Sequence, residues 1–400
     1  VARNIRDTVF FIPELKNRNE FLELQLKKFE QGLDGKLYSS EKHSSDDNYS
    51  YSLRNFFLPF PSLDISLGWK SKKNYKRAHY LEVIDQKVLV ISGEGDTVYF
   101  DKINIYESKL KLKRISNNLI KVLNERGSQL SSIRDLYYED DYIYLSVLET
   151  KSNKSYLNIY RAKKNFGKLE FNIFFENKEF VEGNFNLQTG GRITNYNTNE
   201  ILFSVGFVNN YEAPQNLNSI FGKIISINKN SKEYKIISIG HRNPQGLFFS
   251  KDKNLIINTE HGPMGGDEIN LNFLENEKIV NFGWPIASYG EPYPKQDKKF
   301  YKENGFLKKS HSDNGFKEPL KYFTPSIGIS EVTYLNNKLY VSSLRAESIY
   351  IIELTQSYKI KNQKRLKFKS RIRDLKYDKE TDVFLVLFEN IPAIGVLKFN

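Results

Sequence analysis

From about residue 78 to its end, the chain alternates apolar and polar residues over short stretches. This period of two predicts half-buried β-strands, and Asp, Asn, Lys or Gly at the breaks predicts the turns between them. Successive copies of the pattern are roughly 45–85 residues apart, and each offers three or four short strands. The six copies begin near Tyr80, Leu136, Ile193, Leu247, Val332 and Leu375. The pattern therefore predicts an all-β fold, a six-bladed β-propeller over residues 78–400, because a β-sandwich does not repeat a four-strand unit six times.

Residues 1–77 lack this repeat and predict an N-terminal helical and extended appendage. Residues 17–31 show the apolar spacing of an amphipathic helix. Ser39–Ser52 is rich in Ser, Asp and Asn and predicts a surface loop, whereas Phe56–Trp69 predicts an apolar segment laid against the main body. We favour a helix that caps one face of the domain over one that packs on a membrane or acts as an assembly element.

Composition excludes several classes of protein. The chain has no Cys among its 400 residues, which rules out disulfides, thiolate zinc sites and a cysteine nucleophile. Lys and Arg outnumber Asp and Glu by 60 to 48, a net charge of +12. Lys is spread along the chain without a basic arm or an RNA-binding signature, so we expect no nucleic-acid partner. No apolar run approaches the roughly 20 residues that a membrane-spanning helix needs. A signal or membrane tether preceding Val1 stays open.

Three polar loops from different repeats carry the candidate chemistry. GHRNPQGL occupies Gly240–Leu247, EHGPMGGDEIN occupies Glu260–Asn270 with NFGWP soon after it, and RIRD occupies Arg371–Asp374. Loops of all blades converge on the axis of a propeller, so we expect these three to meet there. Together they resemble the soluble pyrroloquinoline quinone (PQQ)-dependent sugar dehydrogenases of the glucose/sorbosone dehydrogenase family. The likeness is dense over residues 240–290 and looser from about 186 to 400.

The resemblance implies a cofactor site made of arginines and amides. PQQ carries three carboxylates and an ortho-quinone, and guanidinium groups bind carboxylates through two parallel hydrogen bonds. A solvated surface charge is the default for each arginine alone, but four arginines at family positions on three blades favour a shared ligand. The positions that match the family's cofactor residues are Arg242, Asn243, Gln245, Arg345, Arg371 and Arg373.

A calcium ion is also implied by the resemblance. In the family, main-chain oxygens at the positions of Gly262 and Pro263 hold Ca²⁺ against the quinone, and such hard oxygens are ligands that Ca²⁺ accepts. Asp267 adds negative charge nearby and is the third metal candidate. A turn cap is the alternative role for Asp267.

The general base of the family is missing from its expected position. In the family, a His four residues before the Arg of a Gly-Gly-Arg strand start removes the sugar hydroxyl proton. Here that start is 190–193, and Gln188 stands four residues before Arg192. An amide can orient a substrate but cannot accept its proton. A local slip in the match, another base such as His241 or His261, and loss of turnover all stay open.

Two functions follow from these residues. A PQQ- and calcium-dependent dehydrogenase would oxidise the C1 hydroxyl of an aldose by hydride transfer to PQQ, with a small-molecule sugar and an electron acceptor as its partners. A non-catalytic propeller would use the same loops to bind a carbohydrate, the cofactor or a protein. For either function we expect a periplasmic or extracytoplasmic location.

Overall fold

The computed structural model describes residues 34–44, 50–58, 78–183, 188–274, 278–294, 296, 298–389 and 393–399. The described chain forms 29 strands, numbered β1–β29 along the sequence, and two short α-helices, α1 (Leu119–Glu125) and α2 (Lys298–Glu303). Within these ranges, no helix combines the length and apolarity needed to cross a membrane. The helix predicted over residues 17–31 lies outside the described residues.

Six sheets radiate from one axis, so the predicted six-bladed β-propeller is confirmed. The first blade contains β3 (His79–Ile84), β4 (Lys87–Ser92), β5 (Thr97–Asp101), β7 (Lys113–Asn117) and β11 (Lys168–Leu169). The second contains β8 (Gln129–Glu139), β9 (Tyr142–Lys151), β10 (Lys154–Lys163), β12 (Asn172–Phe175) and β13 (Val181–Glu182). The third contains β14 (Gly190–Asn197), β15 (Glu200–Val205), β16 (Lys223–Asn228), β17 (Tyr234–Ile239) and β21 (Val280–Asn281).

The remaining three blades follow in chain order. The fourth contains β18 (Pro244–Ser250), β19 (Leu255–Glu260), β20 (Asp267–Phe273) and β22 (Lys321–Phe323). The fifth contains β23 (Ile329–Leu335), β24 (Lys338–Ser343), β25 (Ser348–Leu354) and β26 (Ile360–Lys367). The sixth contains β27 (Ile372–Asp378), β28 (Val383–Phe388), β29 (Ala393–Phe399), β2 (Ser50–Phe57), β1 (Asp34–Ser44) and β6 (Lys109–Lys111).

N-terminal strands complete the sixth blade and tie the two ends of the chain together. Strand β2 pairs antiparallel with the last strand, β29, and β1 adds to the outer side of β2. Asp34–Ser44 and Ser50–Phe57, which the sequence assigns to the appendage, thus contribute two strands to the propeller sheet. The prediction of a surface loop over Ser39–Ser52 is wrong for its described residues, 39–44 and 50–52. The physical reason is that β2 buries only one face over its first residues, so polar residues alternate there with buried Tyr51 and Leu53.

The innermost strands of the blades, β3, β8, β14, β18, β23 and β27, contact one another in a closed ring. Between neighbouring blades the core is apolar, as where buried Leu89 of the first blade and Leu145 of the second join one cluster. Because equivalent strands run in the same direction, their first residues all lie at one face of the ring. The predicted GHRNPQGL and RIRD loops lead into β18 and β27 at this face.

Candidate functional site

A buried arginine on the axis forms the floor of the site. Arg192 of β14 is only 4% exposed, and its guanidinium forms ion pairs with carboxylates of three other blades. Its Nη1 lies 2.9 Å from Asp135, 2.9 Å from Glu331 and 3.2 Å from Asp374. The ring of Tyr80, on the first blade, lies 5.0 Å from the guanidinium carbon. One side chain therefore links the inner strands of five blades.

The same guanidinium holds the backbone of two cofactor candidates. Its Nε donates to the carbonyl oxygen of Gln245 at 2.6 Å, and its Nη2 donates to that of Arg373 at 3.1 Å. Gln245 belongs to the fourth blade, so Arg192 reaches all six. In the sequence, Arg192 marks only the start of a strand. Its burial among acids depends on how the blades meet around the axis, which a linear sequence does not display.

Burial sets the charge balance of this floor. Burial opposes the charge on Arg192, but Glu331, Asp135 and Asp374 outweigh it and hold the pKa of Arg192 well above its ordinary value. Burial raises the pKa of Glu331 to about 8 and also raises the pKa of Asp135. The floor is consequently a compact cluster of buried charges in which the guanidinium of Arg192 and the ammonium of Lys376 offset the carboxylates.

Arg242 lies above this floor, on the loop that leads into β18. Its side chain is buried, and its Nη1 donates to the carbonyl oxygen of His261 at 2.9 Å. The guanidinium carbon lies 5.2 Å from the ring of Trp284 and 5.6 Å from that of Phe207. Its Nε is buried and has no hydrogen-bond partner among the described residues. Burial lowers the pKa of Arg242. The described residues therefore accept only some of the hydrogen bonds that this buried guanidinium can donate.

Three further cofactor candidates share one hydrogen-bond network. Gln245 donates through Nε2 to Oδ1 of Asn243 at 3.1 Å and accepts through Oε1 from Nη1 of Arg373 at 3.0 Å. The backbone N–H of Gly190 also donates to Oδ1 of Asn243, at 3.3 Å. The network brings Asn243, Gln245 and Arg373 together from the fourth and sixth blades, within two residues of Gln188.

The two arginines of the RIRD loop share one buried carboxylate. Arg371 lies 3.1 Å from Glu389 through Nη2, and Arg373 lies 3.1 Å from the other oxygen of Glu389. Burial works against the charge of Glu389, but Arg373 and Arg371 lower its pKa overall. Arg345 lies on the loop between β24 and β25, with an exposed side chain that forms no hydrogen bond or ion pair with described residues. Glu389, which aligns both guanidinium groups, went unnoticed in the sequence because it belongs to none of the three motifs.

The His-Gly-Pro turn is fixed by Asp267. One carboxylate oxygen of Asp267 accepts from the N–H of Gly262 at 3.2 Å, and the other accepts from the N–H of Ile329 at 3.0 Å. A Cβ at Gly262 would lie 2.1 Å from the carbonyl oxygen of Gly266, so only glycine fits there. The carbonyl oxygen of Pro263 accepts from Ser326 at 3.3 Å. These contacts show Asp267 as a cap of the turn.

Side chains alone offer no metal cage in the described ranges, where no group of three or more His, Asp or Glu is arranged to hold a metal. Any cation at the His-Gly-Pro turn would therefore depend on main-chain oxygens, which Ca²⁺ accepts as ligands.

Gln188 occupies a strained position beside the network. Its φ is +56°, and its carbonyl oxygen accepts from the N–H of Val208 at 3.2 Å. A Cβ at Gly206 would lie only 2.0 Å from that oxygen, so the close approach requires glycine. The half-buried side chain of Gln188 forms no hydrogen bond with described residues.

The two histidines of these loops differ in their surroundings. His241 is fully buried, with Nε2 2.7 Å from the hydroxyl of Ser238 and Nδ1 3.0 Å from Glu260. Both ring nitrogens of His241 are therefore occupied. His261 places Nδ1 3.4 Å from the amide nitrogen of Asn243, whereas its Nε2 is buried without a partner among the described residues. Burial lowers the pKa of His261, which keeps its ring neutral.

Comparison with known proteins agrees with this architecture. The sequence profile of the Glucose / Sorbosone dehydrogenase family matches residues 83–392. Aldose sugar dehydrogenase YliI of Escherichia coli (strain K12) is 26% identical over 189 residues, a match that covers 41% of this chain and 47% of that protein. The chain therefore aligns with about half the length of this relative.

Two solved structures share the fold. The soluble aldose sugar dehydrogenase of Escherichia coli in its apo-form superposes with a TM-score of 0.63 at 19% identity, over 82% of this chain and 97% of that one. The PQQ-bound aldose sugar dehydrogenase of Streptomyces coelicolor superposes with a TM-score of 0.59 at 18% identity, over 81% and 93%. Since the family profile spans most of the propeller and the motif loops meet at its axis, the chain belongs to the glucose/sorbosone dehydrogenase family.

Proposed function

We propose that this protein is a PQQ- and calcium-dependent sugar dehydrogenase that oxidises the C1 hydroxyl of an aldose. One observation carries the proposal: the motif residues Arg242, Asn243, Gln245 and Arg373 converge on one side of a buried axial floor. Proteins bury arginine side chains when hydrogen-bond acceptors or carboxylates pair with them, and here some of the guanidinium N–H groups have no such partner among the described residues.

The residues present fit an anionic cofactor. The Nε atoms of Arg242 and Arg373 are both buried without a hydrogen-bond partner among the described residues. Arg371 and Arg373 share the single carboxylate of Glu389, and Arg242 donates to a main-chain carbonyl oxygen rather than to a carboxylate, which leaves an excess of positive charge for the three carboxylates of PQQ. The residues that would hold the cofactor are Arg242, Asn243, Gln245, Arg345, Arg371 and Arg373.

Calcium fits the His-Gly-Pro turn through its main chain. The carbonyl oxygens of Gly262 and Pro263 are hard donors, and Asp267 fixes the turn that presents them while adding a negative charge. When bound, PQQ would supply the acceptor for the hydride that leaves the sugar C1.

Removal of the hydroxyl proton from the sugar lacks a general base at the position of Gln188. The amide of Gln188 can donate to one sugar oxygen and accept from another, which orients the sugar, but it cannot take the proton. Loss of a general base typically lowers the rate by about 10²–10⁴-fold. We therefore propose slow turnover in the natural sequence.

A dye-linked assay tests this proposal. With saturating PQQ and calcium, a panel of aldoses should bleach the dye slowly with the natural protein and about 10²–10⁴-fold faster with Gln188→His. Arg242→Ala should abolish the signal, whereas Arg114→Ala, at an exposed arginine of the first blade, should leave it unchanged. No turnover with any aldose by either the natural protein or Gln188→His would refute the dehydrogenase proposal.

Gln188 itself favours a second candidate, a non-catalytic propeller that binds the cofactor, a carbohydrate or a protein. Binding needs the arginines and the amide but no base. Tight PQQ binding without sugar oxidation by the natural protein, together with turnover by Gln188→His, would identify this second function.

A further inference from the structure

Lys223, the first residue of β16, is a fully buried lysine. Within the described part of the chain, no acidic side chain forms an ion pair with its Nζ. Lysine is almost never fully buried without a partner, because the removal of an ammonium group from water is costly. Groups other than carboxylates must therefore hold this cation in place.

Main-chain carbonyl oxygens take the place of a counterion around Lys223. The three that accept from its Nζ are those of Ala213 at 2.6 Å, Pro214 at 3.0 Å and Phe221 at 2.9 Å. Burial lowers the pKa of Lys223 to about 8, against an attraction from Glu179, so the amine remains protonated at neutral pH. An ammonium group has three hydrogens, and each of them here holds a carbonyl group of the backbone.

All three carbonyl groups belong to the loop between β15 and β16, residues 206–222. The two ends of this loop are joined, because the N–H of Gly222 donates to the carbonyl oxygen of Gly206 at 3.0 Å. A Cβ at Gly222 would lie 2.7 Å from the Cβ of Pro214, so the middle of the loop packs directly on its end. Lys223 thus fastens a loop that closes tightly on itself.

The loop in turn supplies acceptors to the backbone of the GHRNPQGL loop. The N–H of Gly240 donates to the carbonyl oxygen of Pro214 at 3.0 Å, and the N–H of His241 donates to that of Gly222 at 3.1 Å. The oxygen of Pro214 therefore accepts from both Lys223 and Gly240. The ammonium group and the GHRNPQGL loop share one anchor.

Two candidate site residues are held by the beginning of the same loop. The N–H of Phe207 donates to the carbonyl oxygen of Arg242 at 2.8 Å, and the N–H of Val208 donates to that of Gln188 at 3.2 Å. The ring of Phe207 also lies 5.6 Å from the guanidinium carbon of Arg242. The positions of Arg242 and Gln188 therefore depend on the conformation of this loop.

Gln215 connects the loop to the aromatic neighbour of Arg242. Its Nε2 donates to the carbonyl oxygen of Trp284 at 2.7 Å, and the ring of Trp284 lies 5.2 Å from the guanidinium carbon of Arg242. Gln215 directly follows Pro214, whose carbonyl oxygen accepts from Lys223. A displacement of this turn would consequently move Trp284 as well.

We propose that Lys223 is a positioning residue, whose ammonium group holds the loop 206–222 in the conformation that places Arg242 and Gln188 for the cofactor and the sugar. This inference rests on the proposed function for the identity of these ligands. Lys223 acts on them through the carbonyl group of Pro214 and the backbone of the GHRNPQGL loop.

Hydrogen exchange of the PQQ-free protein tests this anchoring without any cofactor. Lys223→Met keeps a long, unbranched side chain and removes its three donors. The amides of Phe207, Gly240 and His241 should then exchange at least about tenfold faster, measured against the core amides of β9. Lys102→Met is the matched control, because Lys102 is also buried but pairs with carboxylates of the sixth blade, and it should leave this ratio unchanged.

PQQ binding in calcium gives the second readout. Lys223→Met should bind PQQ about tenfold more weakly than the natural protein, and Lys223→Gln, which retains two N–H donors, should fall between them. Lys102→Met should bind PQQ like the natural protein even though its free energy of unfolding falls. If Lys223→Met does not fold, Lys223→Gln carries both readouts.

The outcomes separate this role from the proposed function. Absence of PQQ binding by the natural protein would count against the proposed function, and hydrogen exchange would still decide whether Lys223 anchors the loop. Unchanged exchange of the three amides in the Lys223 variants would overturn the inference. An equal loss of PQQ affinity in Lys223→Met and Lys102→Met would also overturn it, because the effect would then be one of general stability.

Discussion

Replacing Arg192 with Met removes the one guanidinium that contacts three buried carboxylates. Its Nη1 lies within 2.9–3.2 Å of Asp135, Glu331 and Asp374, and all four side chains are nearly inaccessible. Breaking a buried ion pair by deleting one partner typically costs about 3–5 kcal/mol, because the remaining charge stays buried and unpaired. Since domains are stable by only about 5–15 kcal/mol, we expect Arg192→Met to lose a large part of the free energy of unfolding.

The loss should depend on pH in a direction set by Glu331. Burial raises the pKa of Glu331 from 4.5 to about 8, so the folded state binds a proton that the unfolded chain releases. The stability that this proton contributes is fully present below about pH 4.5 and is lost as the pH rises through about 8. Arg192 lowers the pKa of Glu331, so its removal strengthens this dependence. The difference between the natural protein and Arg192→Met should therefore be larger at pH 9 than at pH 6.

Urea unfolding followed by far-UV circular dichroism at both pH values measures this difference. Arg192→Lys keeps a positive charge and should lose less than Arg192→Met. Arg114→Met, at an exposed arginine, should unfold like the natural protein. A free energy of unfolding for Arg192→Met within about 1 kcal/mol of the natural value at both pH values would refute the role given to the axial guanidinium.

Two further predictions concern the loops above the floor. Gly206→Ala would place a Cβ 2.0 Å from the carbonyl oxygen of Gln188, so we expect a loss of about 1–3 kcal/mol in unfolding free energy together with weaker PQQ binding, whereas exposed Gly167→Ala should change neither. Asp267→Ala leaves two buried N–H groups without acceptors, which should cost about 2–6 kcal/mol and abolish any rise of the melting temperature on adding calcium. Asp267→Asn retains an acceptor and should lose less. A melting temperature of Asp267→Ala that still responds fully to calcium would contradict the role of this turn.

Much of the propeller could be predicted from the sequence because its inner and middle strands alternate in a simple pattern. Strand β2 could not, since its alternation of Ser50, Tyr51, Ser52 and Leu53 resembles a polar loop until the C-terminal strand is present to pair with it. Pairing between the two ends of a chain is a property of the closed ring, and no local signal in the sequence encodes it.

The residues of the candidate site that belong to recognisable motifs could be predicted from the sequence. The residues whose role comes from burial between blades could not. The motif loops pointed to Arg242, Asn243, Gln245 and Arg373. The structure joins the last three in one hydrogen-bond network and links Arg242 to His261, whose ring lies beside Asn243. The cluster around Arg192 depends on charges contributed by separate blades, which no spacing along the chain reveals. The capping role of Asp267 likewise depends on backbone geometry, because its two carboxylate oxygens accept from the N–H groups of Gly262 and Ile329.

The proposed cofactor site is tested by titrating the purified protein with PQQ, in calcium and in a chelator, and following the titration by absorption and calorimetry. We expect one PQQ bound per chain in calcium, weaker binding in the chelator, and at least about tenfold weaker binding by Arg373→Ala, because this variant lacks a guanidinium that we propose pairs with the cofactor. Arg114→Ala should bind like the natural protein. No PQQ binding in calcium, or binding that Arg373→Ala leaves unchanged, would contradict the claim that the axial arginines form a cofactor site.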